Sequence, residues 1–275
     1  MKLQESSRKP VEESRVRYIL GMRVDATNYN AATDLVMGWA SRGESRCVCE
    51  APIHMVMESY DSPDFRRCIN EAELVTPGGM PIVWLMRLLG VRSQPRVYGP
   101  DLTLRVCEAA ARAKVPVGIF GGTSEVARDF VRNLEVRYPG LPVVFVYTPP
   151  FRPLAPQEDQ EVCAQIAASG CRILFVGLGC PKQERWMNEH RGRIRAVMLG
   201  VGAAFDFISG HKPQAPRWLQ AMGGEWLFRL ATEPRRLWRR YAYHNPRFVA
   251  LAGWQLLRWW LRGPAVGSCT DPAVK

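Results

Sequence analysis

The stretch Ile173-Leu174-Phe175-Val176-Gly177-Leu178-Gly179-Cys180-Pro181-Lys182-Gln183-Glu184-Arg185-Trp186 decides how the rest of the chain is read. Four apolar residues run directly into Gly-Leu-Gly. A run that short and that apolar predicts a strand buried on both faces. The glycines let the backbone turn and let a ligand approach it. Pro181 suits the first position of a helix, where its missing N–H is no loss. The unpaired N–H groups of that helix start, with Lys182 beside them, predict an anion site, and Gln183 and Glu184 add an amide and a carboxylate to the same rim. In an open α/β sheet, ligands bind where strand ends meet helix starts. A plain β–α turn with a solvated first helical turn would carry Gly-Leu-Gly equally well; the attached Lys-Gln-Glu-Arg favours a site.

The same alternation extends in both directions. Short strands are predicted over residues 17–24, 47–51, 74–76, 117–120, 143–147 and 196–201. Helical spacing is predicted over 30–41, 54–60, 63–71, 80–89, 101–114, 124–138 and 156–169. Strands alternating with helices of this kind predict a parallel sheet with right-handed crossovers, an α/β, Rossmann-like domain over residues 16–212. Three strands end in glycine at what should be one edge: Gly121-Gly122, Gly177 with Gly179, and Gly200 with Gly202. None forms G-x-G-x-x-G opening a helix, so a nicotinamide dinucleotide is weakly indicated. Three glycine-lined strand ends suit a phosphate-bearing ligand such as a nucleotide.

The chain has 275 residues, enough for one large domain or a domain with an appendage. Its eight cysteines have no metal-like spacing, which fits reduced thiols in a cytoplasmic compartment. Residues 1–15 are charged, lack the apolar core of a signal peptide, and read as disordered. Residues 264–275 read as a flexible tail. No apolar run is long enough to span a membrane.

The net charge of +11 is local in origin: residues 213–262 hold nine arginines against two acids, and six of the nine tryptophans. Arg235, Arg236, Arg239 and Arg240 share one broad helical face, and Arg247, Gln255, Arg258 and Arg262 fall on a second stripe. Residues 213–263 thus read as a basic, Trp-rich amphipathic helical appendage, the pattern of a segment lying in a membrane interface. Packing of its apolar face on the domain is the next reading. Nucleic acid is disfavoured, because no recognised nucleic-acid motif accompanies the arginines.

Several segments go beyond a generic α/β pattern. They are Leu74-Val75-Thr76-Pro77-Gly78-Gly79-Met80-Pro81, Arg96-Val97-Tyr98-Gly99-Pro100-Asp101, Gly121-Gly122, Gly177 through Glu184, Gly202-Ala203-Ala204-Phe205-Asp206, Ala215-Pro216-Arg217-Trp218, and Glu225-Trp226-Leu227-Phe228-Arg229-Leu230 followed by Glu233-Pro234-Arg235-Arg236. In this order they resemble the WecB/TagA/CpsF glycosyltransferases, glycosyltransferase family 26, over roughly residues 16–250. The resemblance implies a metal-independent, inverting enzyme at the inner face of the cell membrane. Such an enzyme moves a sugar from a UDP-sugar to a polyprenyl-diphosphate-linked sugar during synthesis of a cell-surface polymer. It allows dimers or trimers, and it implies no cofactor beyond the donor substrate. The absence of D-x-D agrees with the lack of a metal, so cationic side chains must steady the departing UDP.

By the resemblance, Gln183 and Arg96 fall in the active site. Gly121, Gly122, Gly179, Lys182, Glu184, Gly202 and Asp206 fall on the UDP side. Arg217, Arg229, Arg235 and Arg236 are placed for the leaving group or the lipid diphosphate. Two departures fall in the acceptor pocket. Where the family usually carries an aspartate, its expected general base, this chain has Gly78. The family's T-x-N after the preceding strand reads Glu50-Ala51-Pro52. Glycine cannot take a proton, so either Glu50 supplies the missing carboxylate, or the chain binds its ligands without turning them over. His54 and Asp101 are further candidate bases. His54 reads more readily as a helix-packing histidine, and Asp101 equally well as an acid in the first turn of its helix. Rival classes are a basic membrane-surface nucleotide-binding module without chemistry and an NAD(P) oxidoreductase.

Overall fold

A computed structural model describes residues 16–262. The expected disordered N-terminus and flexible C-terminal tail lie outside the described residues. Residues 17–24, expected as one strand, form a hairpin instead: β1 (Val16–Ile19) pairs antiparallel with β2 (Met22–Asp25) across the turn Leu20-Gly21. Leu20 and Gly21 both have positive φ, which a two-residue hairpin turn requires.

The chain then runs α1 (Tyr29–Ser41), β3 (Arg46–Glu50), α2 (Ile53–Asp61), α3 (Pro63–Asn70), β4 (Leu74–Thr76), α4 (Met80–Leu88), α5 (Gly99–Ala113), β5 (Val117–Gly121), α6 (Ser124–Arg137), β6 (Val143–Tyr147), α7 (Pro156–Ala168), β7 (Ile173–Gly177), α8 (Lys182–Glu189), β8 (Val197–Gly200) and α9 (Ala204–Ile208). The helix starts are written locally. Asn28 caps α1 by accepting the Ala31 N–H at 3.0 Å, and Thr123 caps α6 by accepting that of Val126 at 3.3 Å. Pro181, expected as the first residue of α8, stands one position earlier, at its N-cap.

Six strands form one parallel sheet in the order β4-β3-β8-β7-β5-β6. The β7 sequence shows why both faces are covered: Leu174 and Val176 enter one apolar cluster, and Ile173 and Phe175 enter the other. All four are fully buried. The edge strand β6 alternates instead, with Val144 and Val146 exposed. The opposite edge is capped by the hairpin, where the buried Asp25 carboxylate accepts the Val75 N–H at 2.7 Å. Because every strand is parallel, Glu50, Thr76, Gly121, Gly177 and Gly200 emerge on the same edge of the sheet.

The C-terminal arm comprises α10 (Arg217–Ala221), α11 (Glu225–Thr232) and α12 (Pro234–Arg262), the last continuous through Pro246. Two residues of the expected stripe Arg247, Gln255, Arg258 and Arg262 on α12, Arg247 and Gln255, face the domain. Arg247 forms a two-pronged pair with Asp61 (2.8 and 2.6 Å), and Gln255 bonds the Tyr18 carbonyl and the Leu20 N–H. Leu237, Phe248 and Ala252 are buried beside them. So the arm packs on α2 and the hairpin, and a separate apolar set including Trp238, Trp254, Leu257, Trp260 and Leu261 remains exposed.

Candidate active site

The glycine-rich strand ends and the arm enclose a cavity of about 530 Å³. Its floor comes from Glu50 at the end of β3 and from the loop after β4, its far wall from the loops after β7 and β8, and its roof from α11 and α12. The loop at Gly78 is held by backbone bonds: Gly79 N–H to the Ala51 carbonyl at 3.2 Å and Val97 N–H to the Pro77 carbonyl at 3.1 Å. These bring Gly78 and Gly99 against Glu50 from two sides. A Cβ built on Gly78 would stand 2.6 Å from Glu50 Cδ, and one on Gly99 would stand 2.8 Å from the same atom. Glu50 therefore fills the room that a side chain at position 78 would take.

The environment of Glu50 favours its neutral form. Burial raises its carboxyl from the ordinary value to about 7, with the Gly99 N–H and the Arg96 charge pulling the other way. Arg96 does not pair with Glu50. Its Nη2 donates to Glu225 Oε2 at 2.5 Å, its Nε donates to the Gly78 carbonyl, and its guanidinium lies 3.9 Å over the Tyr98 ring. Tyr98 OH donates to the other oxygen of Glu225 at 3.1 Å.

On the opposite wall, Gln183 and Glu184 are buried. The Gln183 carboxamide accepts the Gly179 N–H at 3.1 Å and donates to Glu184 at 2.7 Å. It therefore braces the turn opened by Gly177. Burial lifts the Glu184 carboxyl to about 7, and its second oxygen has no partner among the described residues. Gly202 and Asp206 also line the cavity, with Asp206 held by Lys212 at 2.6 Å.

The cationic roof is Arg229, Arg236 and Arg240. Arg229 Nε is buried and without a hydrogen-bond partner among the described residues, and its guanidinium lies 5.7 Å from the centroid of the Phe207 ring. Arg236 is paired with Glu233 at 2.6 Å.

Several expected positions lie elsewhere. Lys182 is exposed and outside the lining, because α8 presents Gln183 and Glu184 to the cavity instead. Gly121 and Gly122 sit behind the wall, where Gly121 packs on Gly177: a Cβ there would meet the Gly177 carbonyl carbon at 2.6 Å. Arg235 is exposed on α12. Arg217 lies in a neighbouring cleft, paired with Asp101 at 3.1 Å. Asp101, which also accepts from Tyr29 OH at 3.3 Å, is thereby held away from Glu50's cavity.

His54 lines the cavity but packs edge-on against His244, with centroids 5.2 Å apart. Burial, with Arg240 and His244 adding, lowers its ring to about 3. Among the described residues, two groups have the spacing to hold a cation: His54–Glu58–His244 and Asp159–Cys163–His190. Each faces an arginine, Arg240 and Arg193 respectively, and the second is closed by the 2.7 Å contacts of Asp159 with His190 and Arg193. The Asp159 contacts suit an ion-pair cluster better than a metal site, and the Arg240 charge beside His54 disfavours a cation at the first group.

The sequence did not mark Glu225 or Tyr98 as site residues, and it placed Arg240 on the basic helical face without assigning it to the cavity. Glu225 and Tyr98 stand inside quoted motifs, and Arg240 stands four residues after Arg236 on the same helical face. Those were the available signals.

Fold and cavity define an α/β enzyme with its site at the carboxyl edge of a parallel sheet, roofed by a basic helical arm. The chain belongs to the glycosyl transferase WecG/TagA/CpsF family, whose model matches residues 17–262, and it is accordingly a glycosyltransferase. It is 27% identical, over 218 residues, to the N-acetylglucosaminyldiphosphoundecaprenol N-acetyl-beta-D-mannosaminyltransferase of Bacillus spizizenii, with 79% of this chain and 82% of that protein covered.

Proposed function

We propose that this enzyme transfers a sugar from a UDP-sugar, with inversion and without a metal, to a polyprenyl-diphosphate-linked sugar, and that Glu50 is its general base. The observation that carries the reading is the position of Glu50: a carboxyl at the cavity floor, in the room above Gly78, with an affinity for protons suited to catalysis near neutral pH. The acceptor hydroxyl oxygen attacks the anomeric carbon of the donor. Glu50 takes the hydroxyl proton, and the bond from that carbon to the UDP oxygen breaks, leaving its electron pair on UDP. Arg229, Arg236 and Arg240 are the cations available to that charge. The Gly177–Gly179 and Gly200–Gly202 turns, braced by Gln183, are the natural seat for the nucleotide. The Bacillus relative's name specifies an undecaprenyl-diphosphate-linked N-acetylglucosamine acceptor, which supports the same acceptor class here in cell-envelope polymer synthesis. The exposed Trp218, Trp238, Trp254 and Trp260, with the exposed Arg235, Arg239 and Arg258, support an arm that rests on the inner membrane surface, and no described helix is long and apolar enough to cross a membrane.

The test is release of UDP from a panel of UDP-sugars, with undecaprenyl-diphosphate-linked N-acetylglucosamine as acceptor, in wild type and Glu50→Gln. Wild type turns over with at least one donor, with chelator present. Glu50→Gln loses transfer yet is still stabilised thermally by UDP. Near wild-type turnover of Glu50→Gln overturns the assignment of the base. Stabilisation by UDP without turnover in wild type with any donor favours the ligand-binding homologue, for which the loss of the aspartate at position 78 is the motivating observation.

A further inference from the structure

The C-terminal arm does more than roof the cavity, because it carries the acid that occupies Arg96. The charged and titratable groups bearing on Glu50 are Arg96 and Tyr98 ahead of α5, and Glu225 and Arg229 on α11. The Gly99 N–H at the start of α5 also bears on it. Arg96 is the cation best placed to neutralise a carboxylate on the cavity floor, since its Nε already holds the carbonyl of Gly78, the residue Glu50 overhangs. Its Nη2 donates to Glu225. That acid is fixed from both sides, by Arg96 at 2.5 Å and Tyr98 OH at 3.1 Å, and both members of the ion pair are largely out of solvent, at 16% and 14% side-chain exposure.

We propose that Glu225 is a positioning residue for the base: by engaging Arg96 it keeps that guanidinium off Glu50, so that docking of α11 leaves a carboxylate free to accept the acceptor's proton. The proposal rests on the assignment of Glu50 as base.

Arg96 and Glu225 act on Glu50 with opposite signs, and this gives the proposal a signature that a merely structural contact lacks. Removing the Glu225 charge withdraws a neighbour that disfavours the Glu50 carboxylate, and it releases a cation that favours it. Both changes make Glu50 a weaker base that stays ionised to lower pH. Removing the Arg96 charge does the reverse.

The experiment is the pH dependence of kcat/KM in wild type, Glu225→Gln, Arg96→Gln and the double variant. The donor is whichever UDP-sugar supports turnover, the acceptor is undecaprenyl-diphosphate-linked N-acetylglucosamine, and circular dichroism confirms folding. In Glu225→Gln the acid limb moves down by about one pH unit and the plateau falls about tenfold. In Arg96→Gln the acid limb moves up. In the double variant the acid limb lies at or above its wild-type position, because loss of the Arg96 charge, which favours the carboxylate, outweighs loss of the Glu225 charge, which disfavours it. An acid limb that stays in place in Glu225→Gln, with kcat or KM alone changed, overturns the proposal, as does a downward shift that persists in the double variant. If Glu225→Gln does not fold, Arg96→Gln decides by the direction of its shift, and an unmoved or lowered limb there overturns the proposal. Failure of the underlying assignment looks different: Glu50→Gln then retains turnover, whereas failure of this inference alone leaves Glu50→Gln inactive and the acid limb of Glu225→Gln where wild type has it.

Discussion

Glu50 stands where a side chain on residue 78 would project, with Glu50 Cδ 2.6 Å from a Cβ placed on Gly78. The two positions therefore compete for one volume on the cavity floor, and a carboxylate can be delivered to it from either strand end. Gly78 has no positive φ, so its backbone accepts a side chain, and the obstacle is the movable Glu50. Gly78→Asp alone is expected to lower turnover, since two carboxylates crowd one site and destabilise each other's charged forms. In a Glu50→Ala background the same substitution should restore part of the turnover that Glu50→Ala loses. Rates of sugar transfer for the three variants decide it. A double variant as inactive as Glu50→Ala would mean that the two positions are not interchangeable.

The raised carboxyl of Glu50 has a consequence for stability that runs against the role proposed for it in catalysis. In the unfolded chain the group titrates at the ordinary glutamate value of about 4.5, and burial raises it in the folded protein to about 7. Between those values the folded state holds the extra proton, so wild-type stability falls as pH rises through this window, and above about 7 the full penalty is present. Glu50→Gln removes the charge while keeping an acceptor for the Gly99 N–H. It should therefore be the more stable protein at pH 8. The ceiling set by the shift is about 3 kcal/mol, and partial access to water reduces this to about 1–3 kcal/mol. The gain should vanish toward pH 5. Glu184 carries a similar shift but is common to both proteins, so the difference in Tm between them at pH 8 and pH 5 isolates Glu50. Equal Tm values at pH 8 would show that the site does not destabilise the carboxylate.

How far the sequence could be read varies by element in a physically sensible way. The sheet was legible because β7 and β8 are continuous apolar runs with glycine at their ends, and the helices because their apolar residues recur at helical spacing. The turn Leu20-Gly21 was not, since the residues on either side of it give one strand-like run. Two orientations were also out of reach. Helical spacing placed Arg247 and Gln255 on one stripe but could not say that Asp61 and the hairpin would face it. Lys182 and Gln183 are neighbours, and only the rotation of α8 on the sheet decides that the amide enters the cavity and the ammonium does not. Glu50 could be suspected from the absence of an acid at position 78, whereas the Glu225–Arg96 pair joins residues 129 apart in sequence and belongs to the fold alone.

Arg229 separates binding of charge from stability. Its Nε is buried without a hydrogen-bond partner among the described residues, and its guanidinium lies at the edge of cation–π reach, 5.7 Å from the Phe207 ring centroid. Arg229→Ala should change stability by less than about 1 kcal/mol. It should lower transfer about a hundredfold, the scale expected when one preorganised donor to a developing negative charge is lost. Arg229→Lys should recover part of the rate by restoring the charge without the planar fork. The measurement pairs Tm with kcat/KM. A variant with normal transfer would remove Arg229 from the leaving-group site, and one with a large loss of Tm would make it a structural residue.

The two apolar faces of α12 should respond to substitution in opposite ways. Phe248 is buried at 4% exposure against the domain, so Phe248→Ala should cost about 3 kcal/mol of stability. Trp254 and Trp260 are 55% and 62% exposed, beside the exposed Arg258. Their replacement by Gln removes no packed contact of the core and should leave Tm unchanged. It should, however, weaken binding to vesicles of anionic phospholipid, because an aromatic ring at the headgroup level contributes buried area and the arginine contributes attraction to lipid charge. Added salt should weaken the wild-type interaction and leave the residual aromatic part. Sedimentation with vesicles, with and without salt, reads both terms. If the Trp254→Gln/Trp260→Gln variant still sediments with the vesicles as wild type does, this face does not touch the membrane, and the arm's exposed tryptophans must be covered by something else, such as a second copy of the chain, which sedimentation velocity in the absence of lipid would detect.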